Sequence, residues 1–533
     1  EDWPETTEER NEIWRKIIKN QALSYKLAGK EWSEISESLT KRYKRIQKAI
    51  YQYNNEDVFQ YYMNAYTSAY DPHTNYFSPP DAKNFEIDMS LSLEGIGARL
   101  MQNLDYTQIA DIIPGGPAYK SKQLQKDDRI IGVAQGDDGE FTDVIGWRLD
   151  DVVARIRGKK GTIVQLQVLK ASKGINALPD TIRLVRDKIN LEQQAAKAEM
   201  IPMTEGNSTY NLGVITIPSF YLNFEDLRAG KEDYRSTTRD VKKLITDLQE
   251  QGMDGLMIDL RFNGGGSLQE AIEMTGLFIP DGPVVQVRNY DQSVDKMLDE
   301  DEGEVFYNGP LAVLVNKGSA SASEIFSGAI QDYKRGVIIG ESTFGKGTVQ
   351  NIIDLGSYIR NPDYNLGQVK MTLAKFYRVT GSSNQQVGVS PDVEFPSFYA
   401  GADIGEASRP NALPWDEIDA ANFTEYNAVT EELLDHLNAL YRDDLNNDPD
   451  LQKLARDIEK VRESRDKKSF SLNFDTRKKQ QEEAKSDQGV IENAVVDNSD
   501  IKDEARVEEK LKKDPYLKEG LRLLAAMKKF KVG

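Results

Sequence analysis

The alternation of strand-like and helix-like runs between residues 175 and about 397 restricts the fold of this chain more than any other feature. The strand-like runs are apolar and lie at 212–217, 255–260, 284–287, 311–315, 337–339 and 369–376. The helix-like runs lie at 239–250, 268–278 and 323–332. Because a strand–helix–strand connection joins parallel strands, this pattern predicts an α/β core built on a parallel sheet.

The segments on either side of this core have different patterns. Residues 1–82 place apolar side chains at three- and four-residue spacing, which predicts helices. Residues 83–172 predict a small β-rich module, because short strand-like runs recur at 92–100, 107–113, 129–133 and 163–169. From about 399 the chain is helical and highly charged, and we expect the mostly polar segment 477–504 to be flexible.

Cysteine is absent, and the two histidines, His73 and His436, are far apart in the sequence. A cysteine nucleophile and a disulfide framework are therefore excluded, and neither a serine–histidine–acid triad nor a multi-histidine metal site is expected. We predict no metal and no cofactor, and the general base of any hydrolase built on this chain should be a lysine or a carboxylate. His73 by itself could serve as a base, but a structural hydrogen-bonding role is the simpler interpretation.

The charge balance also excludes some ligands. Lys and Arg number 68 against 87 Asp and Glu, so the net charge is −19, and neither nucleic acid nor an anionic membrane is expected as the main ligand. No apolar run approaches the roughly 20 residues of a transmembrane helix. The chain begins at Glu1 without Met, as a mature chain does once its export signal is removed, and the absence of cysteine is compatible with an oxidising envelope compartment.

Three serines, Ser319, Ser321 and Ser323, open the helix-like run that follows the strand at 311–315. A hydroxyl at a helix N-terminus lies where free backbone N–H groups and the helix dipole stabilise negative charge, including a developing oxyanion. The alternative is that Ser321 and Glu324 only form a capping box. The local pattern does not choose among the three serines.

Two glycine-rich turns follow other strands of the predicted core. In the segment 343–350, Lys346 lies between two glycines, where burial would lower its pKa and make the amine a usable base. A surface turn is the alternative, whereas a phosphate-binding loop does not fit because Gly347 follows the lysine. In the segment 259–266, Gly264–Gly266 would let backbone amides approach an oxyanion, although a simple glycine turn also explains them.

Taken in order, these motifs resemble the carboxyl-terminal processing proteases, which are serine endopeptidases with a serine–lysine pair. The resemblance rests on Ser-Ala-Ser-Ala-Ser-Glu-Ile-Phe at 319–326, Thr-Phe-Gly-Lys-Gly-Thr-Val-Gln at 343–350 and Gly-Val-Ser-Pro-Asp at 388–392. Further runs are similar to the Gram-negative periplasmic tail-specific members, and they lie at 71–74 (Asp-Pro-His-Thr), 90–98, 144–153 and 411–416. The resemblance is strong between about 60 and 420 and weaker in the helical ends.

The resemblance also implies catalytic roles. The family's nucleophile lies 25 positions before its lysine, which makes Ser321 the nucleophile and Lys346 the general base. Gln350 matches a glutamine that orients the lysine, and the two side chains would share one face if this segment were a strand.

Further residues of the catalytic site follow from the same resemblance. The backbone N–H groups of Ala322 and of Gly265 or Gly266 match the oxyanion donors of the family. Asp332 matches an aspartate that has been assigned to the catalytic set. At 1.5 Å per residue it would lie roughly 16 Å along the helix from Ser321, so we expect it to support the site from a distance.

The β-rich module resembles a PDZ domain. Glu94, Gly95, Ile96, Gly97 and Ala98 match its carboxylate-binding loop, and the strand that follows would pair with the tail of a peptide. Without the family context this run would be a simple turn. The resemblance implies that the module binds C-termini with apolar last residues and holds them near the nucleophile.

The resemblance implies a multidomain fold of α/β plus α type. Its crotonase-like or ClpP-like α/β protease core (173–398) would carry an inserted PDZ domain (83–172), between helical N-terminal (1–82) and C-terminal (399–533) domains. The expected function is tail-specific proteolysis in the periplasm, with apolar-tailed proteins as substrates and an envelope lipoprotein adaptor as a partner. A non-catalytic C-terminus-binding adaptor and a crotonase-like acyl-thioester enzyme are the alternatives.

Overall fold

The computed structural model describes residues 3–173, 177–299, 305–359, 364–401, 403–467, 469–487 and 510–532. Contacts divide the chain into two compact units, Glu1–Val58 with Lys453–Lys502 and Phe59–Gln452 with Asp503–Gly533. Of the segment 477–504, which we expected to be flexible, residues 477–487 are helical and residues 488–504 lie outside the described residues.

The helices and strands are numbered in chain order. The helices are α1 (Thr7–Leu27), α2 (Trp32–Tyr51), α3 (Asn55–Ser68), α4 (Pro79–Ser90), α5 (Pro117–Ser121), α6 (Leu149–Ile156), α7 (Phe224–Arg228), α8 (Thr237–Glu250), α9 (Leu268–Gly276), α10 (Ala322–Asp332), α11 (Glu431–Asn447), α12 (Pro449–Arg465), α13 (Phe474–Asp487) and α14 (Pro515–Val532). The strands are β1 (Asn75–Phe77), β2 (Ser92–Gly95), β3 (Ala98–Asn103), β4 (Tyr106–Ile112), β5 (Arg129–Gln135), β6 (Thr142–Asp143), β7 (Ile163–Leu169), β8 (Asp180–Val185), β9 (Asp187–Asn190), β10 (Lys197–Glu205), β11 (Ser208–Thr216), β12 (Gly255–Asp259), β13 (Pro283–Asn289), β14 (Val294–Leu298), β15 (Leu311–Val315), β16 (Val337–Gly340), β17 (Thr348–Asp354), β18 (Gln368–Tyr377) and β19 (Val393–Glu394).

The first compact unit is helical and contains α1, α2, α13 and most of α12. Helix α1 begins after Thr6, whose hydroxyl accepts the Glu9 backbone N–H at 3.1 Å and satisfies one of the free donors of the first turn. Helices α1 and α2 pack against each other and bury Leu23, Ile35 and Leu39. Apolar spacing in this segment therefore reflects an α-helical hairpin with a thin core.

The second unit is built on the predicted α/β sheet, whose strand order is β10-β11-β12-β15-β16-β19. Strands β10 and β11 form an antiparallel hairpin, and every later pair in the sheet is parallel. The strands β12, β15 and β16 are buried along their whole length, which explains their continuous apolar runs. Helices α9 and α10 follow β12 and β15, so the turns that carry the glycines and the serines lie at the same edge of the sheet.

Helix α14, near the C-terminus, is a structural layer of this sheet. Leu256 and Ile258 belong to the apolar cluster that contains residues of α8, α9 and α10. A side chain at Gly255 would meet Leu524 of α14, and Met257 lies close to Gly520, because alternate residues of a strand point to opposite faces. The central sheet is therefore covered on its second face by α14.

Two of the six strand-like runs do not join the parallel sheet. Strands β13 and β18 pair antiparallel with each other in a second sheet, of order β1-β18-β13-β14, in which β17 also pairs with β18. Our prediction that these two runs extend the parallel sheet was wrong, because an apolar run encodes a strand but not its partner. This sheet also includes β1, which lies in the predicted N-terminal helical domain and pairs with β18.

The β-rich module between residues 83 and 172 has an antiparallel sheet of order β3-β4-β5-β7-β8, with β6 beside β5. Its apolar core includes Ile96, Val152 and Ile156, and α6 packs against β3. The single strand that we predicted at 92–100 is divided into β2, which pairs with β9, and β3, which pairs with β4. The division falls at Ile96-Gly97, where Gly97 has a φ of 74°.

Candidate active site

Ser321 has the most unusual backbone of the three serines. It caps the N-terminus of α10 with φ 57° and ψ −113°, a region that residues with a side chain rarely occupy. A strained turn between a buried strand and a helix lifts a side chain out of the sheet edge, which is the arrangement that exposes a nucleophilic serine in many hydrolases. Ser321 and Ala322 line a cavity of about 1560 Å³.

The two flanking serines have structural partners. The fully buried Ser319 hydroxyl donates to Leu260 O at 2.8 Å and accepts the Asn316 N–H at 3.0 Å. The fully buried Ser323 hydroxyl donates to Asn263 O at 2.9 Å. These bonds connect the serine turn to the neighbouring glycine turn. Of the three serines, Ser321 is the one that lines the cavity.

The glycine turn after β12 lies directly against Ser321. A side chain at Gly265, where φ is 104°, would place its Cβ 2.8 Å from Ser321 Cβ and 3.1 Å from Ala322 N, so only glycine fits. The Gly265 N–H donates to Asn263 Oδ1 at 2.9 Å. Gly264, Gly265 and Gly266 all line the same cavity as Ser321.

Lys346 contacts Gln350 directly. Its Nζ donates to Gln350 Oε1 at 2.6 Å, and both residues line the cavity. Lys346 lies in the loop before β17, and the contact spans a register shift between Val349 and Gln350. We predicted that Lys346 and Gln350 would share one face if a continuous strand joined them. No such strand is present, and the irregular backbone brings the two side chains together instead.

The environment of Lys346 favours the neutral amine. Burial, helped by the charge of Lys370, lowers the pKa of Lys346 to about 8, although Glu406, Glu324 and Asp71 oppose this shift. A lysine with a pKa near 8 has a useful population of free amine at neutral pH, which a general base requires.

Glu324 is a residue of the site whose importance we did not infer from the sequence. Its fully buried carboxylate accepts four hydrogen bonds: from Ser321 N at 2.8 Å, Lys346 N at 2.9 Å, Gly345 N at 2.6 Å and Thr343 Oγ1 at 2.6 Å. Burial raises the pKa of Glu324 to about 7, against the effect of these hydrogen bonds. The capping-box pattern was the available signal, but it did not indicate that the same carboxylate also holds the lysine loop.

Asp332 lies at the opposite end of α10 from Ser321. Its carboxylate accepts two hydrogen bonds from Arg378, at 3.0 Å from Nε and 2.6 Å from Nη2. Its partner is therefore Arg378, the residue that directly follows β18. The contact between Asp332 and Arg378 holds the C-terminal end of α10 against the segment after β18.

The predicted peptide-binding residues lie in the β-rich module, apart from the cavity residues. Glu94 and Gly95 end β2, Ile96 and Gly97 form the connection, and Ala98 begins β3. Ile96 is buried, and the carbonyl groups of Ile96 and Gly97 accept bonds from Ala118 N at 2.7 Å and Ile113 N at 2.9 Å. Within the described residues β3 pairs with β4 alone, so its other edge can accept an added strand.

No cluster of His, Asp and Glu suited to a metal ion occurs within the part of the chain that the structure describes. Within the same part of the chain, no helix has the length and hydropathy of a transmembrane span.

Four sequence-family models match the chain. Peptidase family S41 matches residues 211–395, and the PDZ domain matches residues 85–169. The tail specific protease N-terminal domain matches residues 1–80, and the C-terminal domain of tail specific protease matches residues 399–529.

Individual relatives agree with these matches. The chain is 42% identical over 478 residues to the tail-specific protease of Haemophilus influenzae, and the match covers 89% of this chain and 66% of that protein. It is 33% identical over 368 residues to the carboxy-terminal processing protease CtpA of Bacillus subtilis, covering 68% of this chain and 70% of that protein. A solved PDZ domain of the carboxy-terminal protease from Vibrio cholerae, in complex with a peptide, is 53% identical over 19% of this chain and 99% of that chain, with a TM-score of 0.18. The chain thus belongs to peptidase family S41, and within it to the tail-specific, PDZ-containing branch of serine-type carboxyl-terminal processing proteases.

Proposed function

We propose that this chain is a serine endopeptidase in which Ser321 attacks the scissile carbonyl and Lys346 acts as general base. The observation that carries the proposal is the cavity that contains both side chains, with the serine on a strained helix N-cap and the lysine on a buried loop. The Glu324 carboxylate links the two backbones, because Ser321 N–H and Lys346 N–H donate to the same oxygen.

The reaction follows the usual course of acyl transfer to serine. The neutral Lys346 amine takes the proton from Ser321 Oγ as that oxygen bonds to the carbonyl carbon, and the resulting ammonium then protonates the leaving amine. Water repeats the sequence to release the acyl group, again with Lys346 as the base. Gln350 holds the amine through its Oε1 during both steps.

The oxyanion is stabilised by backbone donors at the edge of the sheet. Ala322 opens α10, so its N–H is one of the free donors of the first turn. Gly265 or Gly266 supplies the second donor. Since Gly265 N–H donates to Asn263 Oδ1, it takes part only where substrate binding breaks that bond.

The PDZ domain supplies the specificity for tails. A peptide that adds to the open edge of β3 would place its terminal carboxylate near the backbone of 94–98. Its last side chain would lie between β3 and α6, where Ala98 and Leu100 pack against the apolar core of the module. Binding a tail there raises the local concentration of substrate at the cavity. The substrates are therefore proteins with apolar C-termini.

The cellular setting is also part of the proposal. We place the enzyme in the periplasm of a Gram-negative bacterium, where it processes or degrades envelope proteins and is served by a lipoprotein adaptor. The supporting observation is its similarity to bacterial tail-specific proteases. We also propose domain boundaries near residues 82, 172 and 398.

The direct test is cleavage of a folded reporter protein with an apolar C-terminal tail. Ser321→Ala and Lys346→Ala should bind the tail as the wild type does and lose more than about 10³-fold in kcat, as serine hydrolases do when the nucleophile or base is removed. Ser208→Ala and Lys243→Ala, on exposed positions of β11 and α8, are matched controls that should cleave normally. Labelling with an activated phosphonate followed by peptide mapping should identify Ser321.

Two results would contradict the proposal. Wild-type rates in Ser321→Ala or Lys346→Ala would exclude that residue from the chemistry. A wild-type chain that binds the tail but neither cleaves it nor reacts with the phosphonate would instead be a non-catalytic adaptor.

A further inference from the structure

The segment Asp71-Pro72-His73-Thr74 lies between α3 and β1, and none of its residues lines the cavity that contains Ser321 and Lys346. Asp71 is buried, with only 7% of its surface exposed, and the other three residues are half-buried. The carboxylate of Asp71 accepts the backbone N–H groups of His73 at 2.9 Å and Thr74 at 3.0 Å, so the turn is closed locally. Its remaining contacts lead to both sides of the Lys346 loop.

The first set of contacts runs from Asp71 to the amine. Thr372 Oγ1 donates to Asp71 Oδ1 at 2.9 Å, Gln350 Nε2 donates to Thr372 Oγ1 at 3.1 Å, and Lys346 Nζ donates to Gln350 Oε1 at 2.6 Å. Gln350 Nε2 also donates to Thr348 Oγ1 at 2.8 Å. These hydrogen bonds therefore link Lys346 Nζ to the Asp71 carboxylate without a gap.

Asp71 determines which group donates and which accepts in each of these hydrogen bonds. A carboxylate only accepts, so the Thr372 hydroxyl must donate to Asp71 and is left to accept from Gln350. The amide NH₂ of Gln350 must then face Thr372, and its oxygen faces Lys346. Hydrogen bonds from Thr74, His73 and Thr372 keep the pKa of Asp71 below its usual value in spite of burial, so the group is a carboxylate at neutral pH.

The second set of contacts runs from His73 to the backbone around Lys346. His73 Nε2 bonds to the buried Glu406 Oε2 at 2.8 Å, and Gln385 Nε2 donates to Glu406 Oε1 at 2.9 Å. Gln385 Oε1 in turn accepts Gly347 N–H at 2.7 Å. The backbone N–H of Glu406 also donates to Phe344 O at 3.0 Å, so the loop is held before and after the lysine.

We propose that Asp71 and His73 are positioning residues for the general base: Asp71 orients Gln350 through Thr372, and His73 fixes the Lys346 loop through Glu406 and Gln385. The proposal rests on the assignment of Lys346 as the base. It gives the Asp-Pro-His-Thr motif a role in catalysis although neither side chain contacts the reacting atoms.

The charges around Lys346 give the proposal a specific signature. The groups that face its amine are Lys370 on β18, Glu324 on α10, Glu406 and Asp71, and the three carboxylates each raise the pKa of the lysine. Asp71→Asn keeps the shape of the side chain and an oxygen that can accept from Thr372, but it removes one of these negative charges. A purely structural turn would leave the pH dependence of catalysis unchanged.

The experiment compares Thr372→Val with Thr372→Ser, and His73→Leu with His73→Gln, in the full chain. Valine and leucine remove the linking group, whereas serine keeps the hydroxyl and glutamine keeps a donor for Glu406. We expect Thr372→Val and His73→Leu to lower kcat by about tenfold, the equivalent of one lost hydrogen bond, with KM for the tailed substrate unchanged. Thr372→Ser and His73→Gln should recover most of the loss. Thr209→Val, on an exposed position of β11, is the matched control for a threonine-to-valine change in a strand.

The second readout is the pH profile of kcat/KM. Asp71→Asn should move its lower midpoint to lower pH, because the lysine loses a neighbouring negative charge. The inference is overturned if Thr372→Val cleaves at the rate of Thr209→Val, or if Asp71→Asn leaves the midpoint in place. Failure of the proposed function is distinguishable, since in that case Lys346→Ala itself would retain activity.

Discussion

The pKa of Lys346 makes a quantitative prediction for the pH dependence of catalysis. Burial lowers this pKa from 10.5 to about 8. With a pKa of 8, roughly a tenth of the amine is neutral at pH 7 and roughly nine tenths at pH 9, so kcat/KM should rise about tenfold between these values and then level off. With an unshifted pKa of 10.5 the same interval would give about a hundredfold rise with no plateau.

The same pKa predicts an unusual effect on stability. An amine whose folded pKa is depressed destabilises the folded state at every pH below that value, and the penalty disappears as pH rises from about 8 to 10.5. For Lys346 the penalty at pH 7 is about 3 kcal/mol. Lys346→Met removes it but leaves Gln350 Oε1 without its donor, which costs about 1 kcal/mol. The variant should therefore be inactive and about 2 kcal/mol more stable at pH 7.

Two measurements check these numbers. Initial rates on the tailed reporter, taken from pH 6 to 10 at constant ionic strength, give the lower midpoint of kcat/KM. Urea unfolding of the wild type and of Lys346→Met at pH 7 and pH 10.5 gives the difference in stability, with Lys243→Met as an exposed control. The advantage of Lys346→Met should vanish at the higher pH, whereas the control should show no such change.

Either of two results would contradict a depressed Lys346 pKa as the source of both effects. A kcat/KM that still rises steeply above pH 9.5 would mean that the catalytic base is not a lysine with a depressed pKa. A Lys346→Met variant less stable than the wild type at pH 7 would mean that the folded structure gains more from the ammonium than burial takes away. Agreement of the kinetic midpoint with the stability difference would identify one group as the source of both.

Three other predictions concern residues around the site. Asp514→Ala removes one of the two carboxylates that flank the half-buried Arg261 side chain, so the urea midpoint should fall by the equivalent of about 3 kcal/mol. The surface change Asp450→Ala should have little effect. Gly97→Ala introduces a side chain at a φ of 74°, with its Cβ 3.0 Å from the Cα of a neighbouring glycine. Fluorescence anisotropy should therefore show about tenfold weaker binding of an apolar-tailed peptide. Unchanged affinity would argue against the loop at 94–98 as the carboxylate-binding loop. In Glu324→Gln, an amide NH₂ would face backbone N–H donors that meet a carboxylate oxygen in the wild type. We therefore expect kcat and the rate of phosphonate labelling to fall by about a hundredfold. A normal labelling rate would contradict this role of Glu324.

The serine turn shows what local sequence encodes and what it leaves open. A strand followed by small residues and a capping-box glutamate predicted a helix N-terminus, and α10 begins there. The same pattern could not choose among Ser319, Ser321 and Ser323. That choice depends on which hydroxyls reach Leu260 O and Asn263 O, which lie about 60 positions away in the sequence.

The sheets illustrate a second limit. The apolar runs that became β12, β15 and β16 are continuous because both faces are buried, and this feature can be read from the sequence. The run that became β18 was also predicted as a strand, but its partners β1, β13 and β17 lie in a separate antiparallel sheet. Similarly, the last helix gave no sign that Gly255 and Met257 would need it as a covering layer.

The sequence by itself determined most of the elements and the absence of thiol chemistry, whereas the serine and lysine of the proposed pair were indicated only by the resemblance to the carboxyl-terminal processing proteases. These properties depend on side-chain type and on neighbours within a turn or a strand. The tertiary structure decided which groups surround Lys346. They are Gln350 on an irregular strand, Glu324 on α10, and the hydrogen-bond networks of Asp71 and His73 from the connection between α3 and β1. Burial and hydrogen-bond direction are properties of the folded neighbourhood, and both the pKa of the base and its orientation arise from them.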